Sequence, residues 1–291
     1  MQLLFTRRTL RYTVLVFWLA AMYFLVRYEA YPELFTHTLS GYRGVIPENM
    51  LIKNTWSRVL VNGVPAGYSH TSMNIADGDT KQNIEISNRM LFRFSMMGQI
   101  LRITARTELL LSPRYDLLKF SSSVSGQGID LSVTGQQKNG QTYEIETNFG
   151  GNKTVRQIKI PEDALLYSPF SMLALRKLRP GQSLAIKTID PFSMSSTHVI
   201  VKALERGQIK IGDELLDALR LEFNYKGMRL ESWIDNDGNI LRQETPLGWV
   251  IESCSAEQAL DAAGGKHTPP DIMRSGSLFT KLLGGNLYDK N

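Results

Sequence analysis

From Trp56 to Cys254 the chain alternates apolar and polar residues with a period of two, and almost every alternating stretch ends at a turn signal. Residues 100–111 are the clearest case. Leu101, Ile103, Ala105, Leu109 and Leu111 fall on one face, and Arg102, Thr104, Arg106 and Glu108 on the other. Such alternation suits a sheet with one buried and one wetter face, because successive side chains of a strand point to opposite sides. Asn62-Gly63, Asn139-Gly140 and Gly150-Gly151 sit where consecutive strands must reverse, and Asn-Gly is a strong two-residue hairpin signal. About 14 strands are expected. A sheet of that size curls or splits, so the expected fold is all-β: a large curved antiparallel sheet or half-barrel, with a β-sandwich as the alternative.

One helix is expected from Ser168, which suits an N-cap, and Pro169, which suits the first helical position. Pro180-Gly181 ends it, and it is expected against the concave face of the sheet. A short closing helix is expected over residues 254–262.

Ahead of the β region lies the long uncharged apolar run YTVLVFWLAAMYFLV, residues 12–26. It is short against the roughly 20 residues that cross a bilayer core. Arg11 and Arg27 flank it, and Tyr12, Trp18, Tyr23, Tyr28 and Tyr31 supply interfacial aromatics. The favoured reading is one uncleaved transmembrane helix. A cleaved signal peptide competes, although bulky Phe24, Leu25 and Val26 end the run with no small-residue cleavage site close behind. Arg7, Arg8 and Arg11 precede the run and only Arg27 follows closely, so the N-terminus is expected in the cytoplasm and the remainder exported. The organisation expected is a cytoplasmic N-terminus (residues 1–11), a transmembrane anchor (12–28), a linker (29–52), a periplasmic β-domain (53–262) and a flexible C-terminal tail (263–291). The location expected is a bacterial inner membrane, spanned once.

Charge narrows the partners. The chain carries +5 overall; residues 1–30 hold four arginines and one glutamate, which leaves only +2 beyond them. No nucleic-acid footprint is expected from so small an excess. Cys254 is the single cysteine, so an exported domain has no internal disulfide and stands on its core.

Catalytic motifs are sparse. Cys254 with His70, His198 or His267 is the one route to a cysteine nucleophile, and a thiolate needs an imidazole within reach and an orienting third group. Residues 235–239, Asp-Asn-Asp-Gly-Asn, lack the glycine position and distant glutamate of a calcium loop and are expected as a hairpin turn. No catalytic residue, metal site or cofactor is expected. The candidate binding residues are Phe92, Phe94 and Met96 on one strand face, joined by Phe170, Met172 and Met194 around the expected helix. Methionine and aromatic side chains recur at adaptable apolar-ligand surfaces, and the same pattern also builds an ordinary core.

Leu178-Arg179-Pro180-Gly181, Asp190-Pro191-Phe192, the stretch Glu231-Ser232-Trp233-Ile234-Asp235, Asp237-Gly238, Leu241-Arg242 and Glu244-Thr245-Pro246-Leu247-Gly248 follow one another in order, with Gly63 through Gly67-Tyr68 upstream. Over about residues 53–260 this order resembles the β-domain that precedes transglutaminase-like domains in some bacterial envelope proteins. That domain is similar in outline to the curved sheets of lipoprotein carriers. No Cys, His and Asp set of a transglutaminase-like domain follows the region here. The resemblance therefore implies a noncatalytic β-domain in a bacterial envelope; the aromatic and methionine residues named above make a lipid or acyl chain the expected ligand. An accessory or scaffold subunit with an envelope protein partner is the alternative.

Overall fold

The computed structural model describes residues 7–25, 37–38, 41–46, 53–77, 82–166, 175, 178–225, 228–245, 248–264 and 267–271. Helix α1 (Arg7–Leu25) leads into a two-residue strand, β1 (His37–Thr38), and a one-turn helix, α2 (Gly41–Val45). A first meander follows: β2 (Lys53–Val61), β3 (Val64–Asp77), β4 (Gln82–Met96), β5 (Gln99–Leu111), β6 (Leu117–Gly126), β7 (Ile129–Asn139), β8 (Thr142–Phe149) and β9 (Asn152–Lys159). After β10 (Leu165–Leu166) comes a second: β11 (Ser183–Ile189), β12 (Ser196–Ile211), β13 (Glu214–Tyr225), β14 (Met228–Ile234), β15 (Ile240–Glu244) and β16 (Trp249–Cys254). Helix α3 (Ala256–Ala263) closes the described order.

All 16 strands belong to one sheet, so the sandwich alternative does not hold. The first meander runs from β2 to the free edge β9, the second from β16 to β11, and β16 pairs antiparallel with β2 to join them. The sheet is mixed rather than wholly antiparallel, because the two-residue strands β1 and β10 each lie parallel to β11. Nothing in two-residue stretches gives a periodicity to read. Between Ala203 and Arg206 β12 slips in register against β13 without ending. At the β2–β3 hairpin, Asn62 and Gly63 take φ of 51° and 78°, the turn that their sequence signals.

The sheet curls around one apolar cluster. Ile86, Leu109, Phe120 and Ile145 from the first meander meet Leu184, Val201, Leu219 and Ile234 from the second, together with Tyr42, Leu165 and Leu175. Of the expected Ser168 helix, Leu175, Leu178 and Arg179 are described, and Leu178 and Arg179 are not helical; the remainder, with Phe170 and Met172, lies outside the described residues. The expected closing helix is α3. Ser255 caps it, the Ser255 hydroxyl accepting from the Gln258 amide while the Gln258 side chain returns to the Ser255 amide, a reciprocal box that satisfies two orphan donors. It packs over β2, β3 and β4 on the outer face, opposite the cluster, where Leu91 is buried. Residues 267–271 then run beside β4, Ser95 donating its amide to the Pro270 carbonyl at 2.8 Å.

Among the described residues no helix is both long and apolar enough to cross a membrane. Helix α1 opens on Arg7, Arg8 and Arg11, which dilute its apolar content, yet Val14, Phe17, Trp18 and Leu19 are all more than half exposed.

One row shows how tightly the inner face is packed. Leu109, Phe120, Gly135 and Ile145 are successive cross-strand partners. The Phe120 ring, 1% exposed, lies over Gly135, where an added Cβ would sit 2.0 Å from the nearest ring carbon. Gly135→Ala is expected to destabilise the protein by about 1–3 kcal/mol through overpacking. In a Phe120→Leu background the cost of the added methyl should shrink. A double-mutant cycle by urea unfolding measures both, and additive effects would refute the packing account.

Candidate functional site

The inner face is banded because antiparallel partners share a face. One band runs Lys53, Met73, Ile86, Leu109; the next runs Thr55, Thr71, Asn88, Thr107, Ser122; a third runs Ser253, Ser57, Ser69, Met90. A fourth crosses the junction of the meanders: Phe92, Gly67, Val59, Ile251, Gln243, Ser232. The second band is hydroxyl-rich and holds Asn88, which is buried and donates through Nδ2 to Ser69 Oγ at 3.0 Å and to Thr71 Oγ1 at 3.1 Å.

Apolar cluster and hydroxyl bands meet at a cavity of about 570 Å³. Tyr42, Ile86, Leu109 and Leu166 give it apolar wall, and Ser57, Ser69, Thr71 and Gln243 give it polar wall. Burial raises the Tyr42 phenol well above its ordinary value, so it stays neutral, and its oxygen accepts from the Leu166 amide at 3.1 Å. Lys53 and Asp235 also line the cavity. Burial pushes the Lys53 ammonium down to about 8, against the pull of Asp235 and Asp237 in the other direction. The Asp235 carboxylate is engaged by its turn, accepting from the amides of Asp237 at 2.9 Å and Asn239 at 2.7 Å. Residues 235–239 are thus the hairpin turn that the sequence predicts. Ser232, fully buried beside Gln243, leaves its Oγ without a hydrogen bond among the described residues, a cost of about 1–3 kcal/mol.

The sequence-derived candidates are not brought together at this cavity. Phe92, Phe94 and Met96 share the inner face and are half-buried, but the described lining takes Met90 from that stripe and none of those three. Phe92 packs instead on Trp249, ring centroids 5.3 Å apart. Met194, at φ 55°, sits between β11 and β12 and packs against the main cluster. Lys53 and Gln243 went unread as lining residues, whereas Met90 shares the strand face of Phe92, Phe94 and Met96. Lys53, Thr55 and Ser57 do alternate, but alternation names two faces without saying which is concave.

Cys254 lies on the outer face. In its cross-strand row Trp56 stands between it and His70, and the Trp56 and His70 rings stack at 3.9 Å. Burial pushes the Cys254 thiol up, against thiolate formation, and burial pushes the His70 imidazole down, helped by Arg89.

The Lys53 shift has a measurable consequence. Between about pH 8 and the ordinary 10.5 the folded chain binds fewer protons at Lys53 than the unfolded chain. Stability from this group therefore rises with pH through that window and is lowest below it, where the charge must stay buried. Lys53→Met is expected to be more stable than wild type at neutral pH, with the gap closing toward pH 10.5. Urea midpoints across that range test this; a constant gap would exclude a buried titrating amine.

No protein-family model matches the chain, and no curated protein matches it. Among the solved structures that are similar in part are two domains of unknown function. One is a β-barrel-like protein of the domain-of-unknown-function family DUF1849 from Brucella abortus, with 9% identity and a TM-score of 0.49, covering 70% of this chain and 96% of its own. The other is a DUF1089 family protein from Pseudomonas aeruginosa, with 12% identity and a TM-score of 0.33, covering 61% of this chain and 89% of its own. Neither links the chain to transglutaminase-like proteins, and at these scores neither carries a function across.

Proposed function

We propose that the chain is a noncatalytic binding module whose curled sheet takes up an acyl chain or lipid in the interior cavity. The observation that carries this reading is the cavity itself: about 570 Å³, within the range of small-molecule sites, with an extended apolar wall and a few convergent polar groups. The apolar wall suits a hydrocarbon chain, and the hydroxyl bands with Lys53 suit a polar end. The noncatalytic reading is supported by the raised Cys254 thiol and by Trp56 interposed between Cys254 and His70. We also propose that α1 holds the module at a bacterial inner membrane, N-terminus in the cytoplasm and sheet in the periplasm. Its exposed apolar side chains and the arginines at its start support that orientation.

The test is displacement of a fluorescent fatty acid from the delipidated full chain. Met90→Trp fills part of the cavity and is expected to weaken binding at least about tenfold, with the circular dichroism of the sheet unchanged. Binding that is indifferent to Met90→Trp would place the ligand elsewhere, for example along α1, and reject the cavity.

A further inference from the structure

Strand β4 stops pairing with β3 at Phe92–Gly67, and β5 stops pairing with β6 at Ile103–Gly126. The β4–β5 ladder itself continues through Arg93–Arg102, Phe94–Leu101, Ser95–Ile100 and Met96–Gln99. Residues 93–102 therefore form a finger whose ladder continues four residue pairs past its pairing with either neighbour, about 13 Å, β6 ending at Gly126 and β3 turning toward β2 alone over Val64–Ala66. Among the described residues, Ala263 meets it at its base through Arg93, and the backbone of residues 270–271 runs alongside at Ser95, one pair short of the last. Met97 and Gly98 turn it tightly, with φ of 52° and 77°.

Its tip is apolar and open to solvent: Met97 is 79% exposed and Ile100 51%. Its shank is basic. Arg93 faces Arg102 and, four residue pairs nearer the body and beyond Leu91–Thr104, Arg89 faces Arg106, all on the outer surface. Directly opposed like charges destabilise a ladder, so this arrangement calls for an anionic partner. Arg93 donates to the Ala263 carbonyl at 3.2 Å and Arg106 pairs with Glu108. Arg89 and Arg102 are exposed and have no ion pair among the described residues. The Arg93–Arg102 pair lies three steps behind the last pair of the finger, about 10 Å. That matches the roughly 5–10 Å to which interfacial elements sink into the headgroup and acyl boundary.

We propose that this finger is a membrane-contact element: Met97 and Ile100 enter the acyl boundary of an anionic bilayer while Arg93 and Arg102 meet its phosphate headgroups. A protruding tip offers no concavity for a protein side chain, whereas a bilayer deforms around it. Methionine is flexible enough to adapt to lipid, and arginine carries its charge on an apolar stem suited to the interface. Phe94 and Met96, on the opposite surface of the finger, then acquire a use independent of the interior cavity. The contact also requires no transmembrane role for α1.

The test uses the full chain with Cys254→Ser and a single environment-sensitive fluorophore on Met97→Cys, or on Gln141→Cys at the β7–β8 turn as the control. The protein is added to phosphatidylcholine vesicles with and without phosphatidylglycerol. A blue shift and quenching by a bilayer-embedded nitroxide lipid are expected at position 97 and not at 141, stronger with phosphatidylglycerol. Arg102→Gln should demand roughly fivefold more anionic lipid for the same shift. Water-like emission at 97 in both vesicle types, or equal quenching at 141, would overturn the proposal. Protection of position 97 in native membranes but not in protein-free vesicles would assign the tip to a protein partner and overturn it as well.

Discussion

The pairing of β16 with β2 is the constraint on which the rest depends. It joins two meanders that are each local in sequence, across a separation of 194 residues at Arg58 and Glu252. On the inner side Val59 meets Ile251; on the outer side Arg58 meets Glu252. Glu252 is 3% exposed and is clamped from both sides, accepting from Arg58 Nε at 3.0 Å on one oxygen and from Arg242 Nη1 at 3.0 Å on the other. A carboxylate buried so deeply is tolerable only when both oxygens are engaged. The clamp spans three adjacent strands, β2, β16 and β15, and so makes the wrong register costly as well as the right one favourable. Beside it the outer face continues as Trp233 under Arg220, whose guanidinium pairs with Glu205 and Glu231.

The same register decides what the interior contains. Because the seam aligns Ser253 with Ser57 and Ser69, and Ile251 with Val59, serines and hydrocarbons form continuous bands rather than a mosaic. Bands of hydroxyls cannot interlock as a dry core does without leaving polar groups unpaired. Asn88 resolves part of that demand by bridging Ser69 and Thr71; Ser232 does not. Space persists where a hydroxyl band abuts the apolar cluster, and Lys53 at the end of β2 faces into it.

Much of the fold was legible because it is local. Asn62-Gly63 announced a hairpin since both residues accept positive φ, and the expected short closing helix is present, capped by Ser255 with Gln258. The faces of β5 and β13 followed from alternation alone: Leu109, Leu111, Leu219 and Leu221 are all buried. Phe149 shares the parity of buried Tyr143 and Ile145 but is exposed, because parity says which side a residue faces and not whether the core reaches that far. The seam, the cavity and the projecting finger were illegible for one common reason. Each depends on where one strand ends relative to a neighbour, and strand ends carry the weakest sequence signal. The aromatic and methionine stripe of β4 was visible, but its division into Met90 on the cavity, Phe92 against Trp249, and Phe94 and Met96 on the finger is a product of register.

The open sheet is not uniformly held. Near the seam, β2 and β3 are hydrogen-bonded on both sides, backed by the cluster within and by α3 without. At the far end β9 pairs, among the described residues, only with β8 and exposes nearly every residue on both faces. Lys153, Arg156 and Lys159 along it discourage the docking of another chain's edge. Backbone amide protection should therefore be graded, with β9 fraying at little cost while β2 and β16 exchange only when the whole molecule opens. A protein built this way can lose its outermost strand transiently without disturbing the seam, and it is the seam, formed from the most distant parts of the chain, that sets how long the native state survives.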